Sequence, residues 1–395
     1  METFDVIVLG AGAAGLMCAI GAGRRGRRVL VLEHNAEPGK KILISGGGRC
    51  NFTNLEIAPE RFLSANPHFC KSALSRHTAR DFIAMVERHR IRYHEKTLGQ
   101  LFCDGSAREI LAMLLAECRA AAVDIRANHR VTDVARAERF RVETSRGSFA
   151  APALVVATGG LSIPKIGATG FAYDLARGFG LGIIEPRPGL VALRFAGETL
   201  ALCRSLSGVS AEAIVACGRQ SFRESVLFTH NGLSGPAILQ ISSYWRQGET
   251  LSIDLAPGIE AESLLRERRR SRPRAELRTV LSEMLPGRLA QAIVEAAASD
   301  APREATMANL LDRTLAAVAA RLKRWRVAPT DSAGWPKAEV TVGGVDTAAL
   351  SSRTMEARGV PGLYVIGEAV DVTGWLGGYN FQWAWSSGWC AGEAV

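Results

Sequence analysis

Apolar positions along this chain switch between short continuous runs and helical spacing in an order typical of α/β proteins. Residues 4–9 are apolar and end at a glycine cluster. Residues 13–25 carry small and apolar side chains suited to a helix packed closely on a sheet, and residues 28–32 form a second apolar run. The opening therefore predicts a β-α-β unit. Residues 38–54 follow, a seventeen-residue segment with four glycines and two lysines, too glycine-rich for a regular element and too long for an idle connection. Between residues 59 and 122 apolar side chains recur every three or four positions, as in Phe82, Ile83 and Val86 and again in Ile110, Leu111, Leu114 and Leu115, which predicts helices. Short alternating runs at 131–134, 140–144 and 154–156 read as strands, some of them antiparallel.

The pattern changes near residue 190. Strand-like pieces at 190–195, 221–228 and 251–255 lead into an arginine-rich helical stretch that runs to Arg324, and glycine-rich strand-and-turn chemistry returns from Ala338. The expected fold class is α/β, with a discontinuous Rossmann-like domain of residues 1–189 and 336–395. Residues 190–335 are expected to be an inserted, largely β plus helical substrate or cap domain. A chain of 395 residues with 47% hydrophobic content can bury a sizeable core. No stretch approaches the roughly eighteen uncharged apolar residues of a membrane span, so Met1 is read as the start of a mature cytoplasmic protein with no membrane partner.

The eight cysteines show no C-x-x-C spacing, which argues against structural zinc and against a redox-active dithiol. A net charge of +9 suits an anionic partner, cofactor or substrate. The arginines at 266, 268, 269, 270, 272 and 274 have no interleaved aromatics, and the plain reading is a solvated helical face. The sequence carries no sign of its oligomeric state.

Gly10-Ala11-Gly12-Ala13-Ala14-Gly15 is a G-x-G-x-x-G between a predicted strand and a predicted helix, and Glu33-His34 close the next strand. Gly10 permits the tight turn, Gly12 lets backbone approach a pyrophosphate, and Gly15 allows close helix–strand packing, while Glu33 lies where an acid meets an adenosine ribose. A β-turn-α of no special purpose is the bland alternative. Two further glycine-rich segments resolve FAD from NAD. Residues 362–369 read as a strand ending in Gly367 and Glu368, and Gly377-Gly378-Tyr379-Asn380 precede a predicted helix whose N-terminus suits partial negative charge on a flavin. Residues 155–160, with Thr158 and Gly159, form another strand end able to pass beside a dinucleotide.

Gly39-Lys40-Lys41 followed by Ser45-Gly46-Gly47-Gly48-Arg49-Cys50-Asn51 is a rarer string. It resembles the BaiN-type NAD(P)/FAD-dependent oxidoreductases of bacteria. The resemblance extends over the N-terminal turn, the 157–160 strand end, residues 228–237 and residues 374–385. It implies a two-dinucleotide-binding-type FAD fold with non-covalent FAD. Carried over by position, Gly10, Gly12, Ala13, Gly15, Glu33 and His34 hold the ADP half and Val131 meets adenine through its backbone. Lys41, Gly47, Arg49, Cys50 and Asn51 lie along the pyrophosphate and flavin, joined by Thr158, Gly159, Gly367, Glu368, Gly378, Tyr379, Asn380 and Phe381. More distantly, Gly167-Ala168-Thr169-Gly170 resembles the fumarate-reductase class, which reduces carbon–carbon double bonds. A second strand-G-x-G-x-x-G-helix is missing, so NAD(P)H is a doubtful electron donor, and no cysteine pair supports a disulfide reductase.

Some residues keep two readings. Arg49 faces flavin or phosphate, or bridges loop carbonyls. Cys50 is an activated thiol or a small packing residue. His230 and Tyr379 are the candidate catalytic groups, and a turn-stabilising role is the alternative for His230. Of Trp375, Trp383, Trp385 and Trp389, one or two are expected to wall the flavin cavity. The expected activity is two-electron transfer between FAD and a small organic molecule, with a carbon–carbon double bond or an amine as the reacting group. A nucleic acid is set aside as a partner. The rivals are a flavin-dependent nucleic-acid-modifying enzyme and a non-catalytic flavin or electron-relay protein.

Overall fold

The computed structural model of the protein describes residues 1–298 and 305–395. Two compact units divide the chain, one made of Met1–Pro188 with Val340–Val395 and the other of Gly189–Glu339.

The first unit is built on a five-stranded parallel sheet. Its first strand, β1 (Val6–Leu9), and the next, β2 (Val29–Leu32), are continuous buried runs, as expected for parallel strands covered on both faces. Helix α1 (Ala13–Arg24) joins them. The 38–54 segment is not one long loop: it holds helix α2 (Lys40–Ile44), a 3₁₀ turn at Ser45–Gly48 and strand β3 (Asn51–Asn54). The glycines 46 and 47 take positive φ inside that turn, so they act as hinges between short elements. Strand β3 pairs with β5 (Gln100–Cys103), and β5 in turn pairs with β4 (Tyr93–Glu95), an antiparallel trio within the stretch expected to be mainly helical. Helix α3 (Ala107–Ala120) starts at a capping box, in which Ser106 Oγ accepts from the Arg108 N–H and Glu109 accepts from the Ser106 N–H. The chain then returns to the parallel sheet as β6 (Asp124–Arg126). A meander of β7 (Val131–Arg136), β8 (Phe140–Thr144) and β9 (Gly147–Ala151) is antiparallel, and β10 (Ala153–Val156) rejoins the parallel sheet. After the second unit come β11 (Val340–Val345), β12 (Leu363–Val365) and the closing helix α4 (Tyr379–Gly392).

The parallel sheet has the order β12-β10-β1-β2-β6. From β1 the chain moves outward to β2 and β6, then returns to the opposite side of β1 for β10 and β12. The strand order therefore reverses between β1 and β10, and ligands of open α/β sheets bind outside the carboxyl ends at such a reversal. Helices α1 and α4 cross there backbone to backbone: a Cβ on Gly388 would lie 2.4 Å from the Ala14 carbonyl oxygen, and one on Gly392 2.7 Å from that of Cys18. Helix α4 is buried almost all round, with Trp383 and Trp385 fully enclosed, which is why its sequence lacks a polar stripe.

The second unit carries an antiparallel seven-stranded sheet whose long hairpin is Ser210–Cys217 with Gln220–Thr229. Of the strand expected at 190–195 only Leu193–Arg194 pairs. The arginine-rich stretch begins as helix Ala261–Ser271, and many of its charges are met locally: Arg266 pairs with Glu262 and Asp312, Arg269 with Asp312, and Arg268 and Arg272 with Glu283. Among the described residues no helix is long and apolar enough to cross a membrane.

Candidate functional site

At the reversal, Gly10 has φ +105° and a Cβ there would stand 2.6 Å from the Ala157 carbonyl oxygen, so the β1–α1 turn and the exit of β10 touch. Gly15 is tighter still, with a Cβ 2.0 Å from the Gly10 carbonyl oxygen. Gly12, Gly47, Gly48 and Gly159 behave oppositely, since a Cβ on any of them would meet nothing within 4 Å. These glycines face open space. Helix α1 begins at Gly12 without a side-chain cap, which leaves its first N–H groups for a ligand. Thr158 presents a buried hydroxyl with no protein partner in the structure. Such an orphaned donor, an open glycine cradle and an uncapped helix end together fit a dinucleotide diphosphate.

Glu33 is only 6% exposed. Its Oε1 accepts from the Asn35 N–H at 2.8 Å and from Asn35 Nδ2 at 2.9 Å, while Oε2 accepts from the Ala11 N–H at 3.0 Å. The acid thus braces the glycine turn, and Oε2 keeps a lone pair for a ribose hydroxyl. His34 is exposed, with Nδ1 3.2 Å from Glu33. Val131 lies two residues after His129, whose N–H donates to the Glu33 carbonyl at 2.8 Å.

Lys41 forms an ion pair with Glu368 and donates to Ser162 Oγ at 2.6 Å. Glu368 also accepts from Ser162 Oγ at 2.7 Å and from the Thr341 N–H at 2.9 Å. Burial by itself would raise the Glu368 pKa, but the Lys41 charge and these hydrogen bonds outweigh it and hold the carboxyl below its ordinary value. Because the folded pKa is depressed, the stabilisation is complete above the ordinary glutamate range and is lost as pH falls through the lower folded value. Lys41→Met should therefore cost about 2 kcal/mol at pH 7, after allowance for the partly exposed lysine. The gap to wild type should close in denaturant melts below about pH 4. A gap that stays constant down to pH 3 would contradict the pairing. Ser162 and Thr341 were not legible as site residues, since Thr341 reaches the pair only through the fold.

The C-terminal turn is held by amides. Asn380 Oδ1 accepts from the Gly374 N–H, and its Nδ2 donates to the Gly374 carbonyl, both at 2.9 Å. Asn54 Nδ2 donates to the Gly377 carbonyl at 2.8 Å, and the Asn51 amide bridges the Gly378 N–H to the Thr53 and Leu101 carbonyls. Gly378 has φ +95°, and a Cβ would stand 2.3 Å from the Thr53 carbonyl oxygen. Helix α4 starts there without a side-chain cap. Gly367, at φ +67°, donates to Ser387 Oγ. Phe381 stacks on Trp385 at 5.5 Å. Trp375 and Trp389 are the half-buried members of the tryptophan group.

Tyr379, expected as a catalytic and cofactor-binding residue, opens helix α4. It is buried, and its hydroxyl accepts from Arg61 Nη1 at 2.5 Å and donates to the Glu56 carbonyl at 3.3 Å. Of the two readings of Cys50, burial favours the packing residue over the activated thiol: it is fully buried, and burial pushes its pKa up to about 12. All eight cysteines are buried. Native protein should thus consume fewer than about one equivalent of a thiol reagent at pH 8, against eight after unfolding; rapid labelling of Cys50 in the native state would refute this. Arg49 is exposed and without a side-chain partner among the described residues. His230 is exposed at the turn of a hairpin in the second unit, its Nε2 3.1 Å from Asn231 Nδ2.

A model of the family described as HI0933-like protein Rossmann domain matches residues 4–394. The chain is 50% identical to the ribosomal RNA dihydrouridine synthase of Escherichia coli (strain K12) over 398 residues, covering 100% of this chain and 99% of that protein. It is 29% identical to the 3-dehydro-bile acid delta(4,6)-reductase of Clostridium scindens, covering 98% of each. Among solved structures, 3-ketosteroid-delta4-(5alpha)-dehydrogenase from Rhodococcus jostii RHA1 superposes with a TM-score of 0.52 at 15% identity, covering 100% of this chain and 96% of that one. The fold is the Rossmann-type FAD-binding fold, and FAD is the cofactor.

Proposed function

The chain belongs to the HI0933-like Rossmann family of FAD-dependent oxidoreductases, and from that premise we propose that it reduces uracil in ribosomal RNA to dihydrouracil. The observation that carries this reading is the 50% identity, end to end, with a protein named for that reaction, against 29% with the bile acid reductase. Both relatives' names describe saturation of a carbon–carbon double bond conjugated to a carbonyl. What separates them is the molecule presented rather than the electron transfer. The sequence expectation set nucleic acid aside in favour of a small molecule, and these relatives reverse that order. The net charge of +9 suits a polyanionic substrate.

FAD, when bound, supplies the hydride that an electron-poor double bond accepts. The chain's own part is to hold the cofactor, seat the base, exclude water and deliver a proton to the neighbouring carbon. In this reading the turn from Gly10 to Gly15, with Glu33 and Thr158, holds the ADP half, while Lys41, Asn51, Glu368 and the residues from Gly378 to Phe381 serve the flavin half. The uncapped N-termini of α1 and α4 would offer N–H donors to the diphosphate and to the flavin carbonyl oxygens. Tyr379 and Asn380 fix the α4 turn rather than transfer protons.

The reading is tested by digesting ribosomal RNA from cells lacking this gene and weighing the nucleosides. Dihydrouridine should be absent from ribosomal RNA, unchanged in transfer RNA, and restored by the wild-type gene. Unchanged dihydrouridine in ribosomal RNA would overturn the proposal.

A further inference from the structure

A protein that reduces uracil must grip a ring with two apolar faces and a hydrogen-bonding edge, and one rim of the first unit offers both kinds of contact. The hairpin between β4 and β5 turns at residues 97–99, where Leu98 is 56% exposed and held at φ +51°. Leu55, 53% exposed, adjoins it through a hydrogen bond from its N–H to the Gly99 carbonyl at 2.8 Å. These are two of only five exposed large apolar side chains among the described residues.

Three side-chain amides meet the Gly377–Gly378 turn beside this rim, and two are consumed by it. Asn54 serves the Gly377 and Leu98 carbonyls, and Asn51 serves Gly378, Leu101 and Thr53. Gln100 is different. Its side chain lies against Gly377, so closely that a Cβ on that glycine would stand 2.8 Å from Cδ and 2.9 Å from Nε2. Its one side-chain neighbour in hydrogen-bonding range among the described residues is the already committed Asn51, at 3.4 Å. Gln100 is half-buried, so water reaches its amide, and a ligand that offers the same hydrogen bonds can replace that water.

We propose that Gln100 reads the uracil edge of the RNA substrate, its Nε2 donating to a ring carbonyl and its Oε1 accepting from the N3–H, with Leu55 and Leu98 forming the apolar rim against the ring. This rests on the functional reading above. The geometry of the pairing is the one by which glutamine and asparagine recognise bases bidentately, and apolar side chains against the ring faces are the usual complement for a base taken out of its stack. The flavin's own pyrimidine carries the same carbonyl and N–H pattern, so the test must tell the two rings apart.

Gln100→Leu and the isosteric Gln100→Glu are compared with wild type in three measurements: kcat and KM for dihydrouridine formation in a ribosomal RNA transcript, FAD content with its visible spectrum, and affinity for that transcript. Gln100→Leu should lower kcat/KM about tenfold to a hundredfold, the worth of two neutral hydrogen bonds. Gln100→Glu, which keeps the acceptor and loses the donor, should fall between. FAD content and absorption maxima should not move in either. Unchanged kcat/KM in both variants overturns the assignment. Lost FAD or a shifted flavin spectrum also overturns it and gives the amide to the flavin ring. A wild-type protein that makes no dihydrouridine from the transcript overturns the functional reading first, and this inference with it.

Discussion

Gly15→Ala is expected to yield a protein that retains essentially no FAD and melts well below wild type. The added Cβ would lie 2.0 Å from the Gly10 carbonyl oxygen and 3.2 Å from the Ala157 side chain. The nearer contact is backbone, so the helix cannot step aside without opening the β1–α1 turn. Overpacking of that kind costs about 2–4 kcal/mol, and it also displaces the N–H groups that would receive the diphosphate. Gly12→Ala makes the contrast. Gly12 has φ −87° and a Cβ there meets no protein atom, so folding should be preserved while the methyl enters the space reserved for the cofactor. With FAD stripped from both proteins, the melting temperature of Gly12→Ala should therefore match wild type, while the FAD it retains on purification falls. Thermal melts with released-flavin absorbance on both variants decide the matter. A Gly15→Ala protein with full FAD and an unchanged melt would contradict the geometry.

The parts of the site that could be read from sequence are those where one backbone requirement forces one residue type. Gly10, Gly12 and Gly15 are spaced by the turn itself, and Glu33 sits one strand away, so local pattern suffices. The all-apolar runs at β1 and β2 likewise announce a covered parallel sheet. Residues 38–54 misled because their glycines suggested a loop, whereas each sits between elements too short to show a period. The partner of Tyr379 was hidden for another reason: Arg61, which donates to its hydroxyl, lies 318 positions away. The Lys41–Glu368 pair with Ser162 and Thr341 needs three chain segments brought together, and no spacing records that. The arginine-rich helix shows the limit of charge counting, since Asp312 and Glu283, well separated in sequence, absorb several of its charges. Substrate choice lay furthest from the sequence pattern, because the cofactor turn is the same whatever molecule is reduced.

The second large effect expected is on RNA itself. If the chain is a ribosomal RNA reductase, its preference must come from a polyanion, so reaction with ribosomal RNA should be steeply weakened by salt while reaction with small enones, if any, should not. Free uridine lacks the flanking phosphates and should react at least about a hundredfold more slowly at equal concentration, since remote binding energy is what positions the ring. The decisive measurement is anaerobic reaction of the reduced, FAD-loaded protein with ribosomal RNA transcribed in vitro, followed by digestion and mass analysis. The account predicts a nucleoside with the mass of uridine plus two hydrogens, formed in proportion to flavin reoxidised and confined to one or a few positions. Flavin that stays reduced with the RNA, yet is rapidly reoxidised by a small enone, would contradict it and return the protein to the small-molecule reductases.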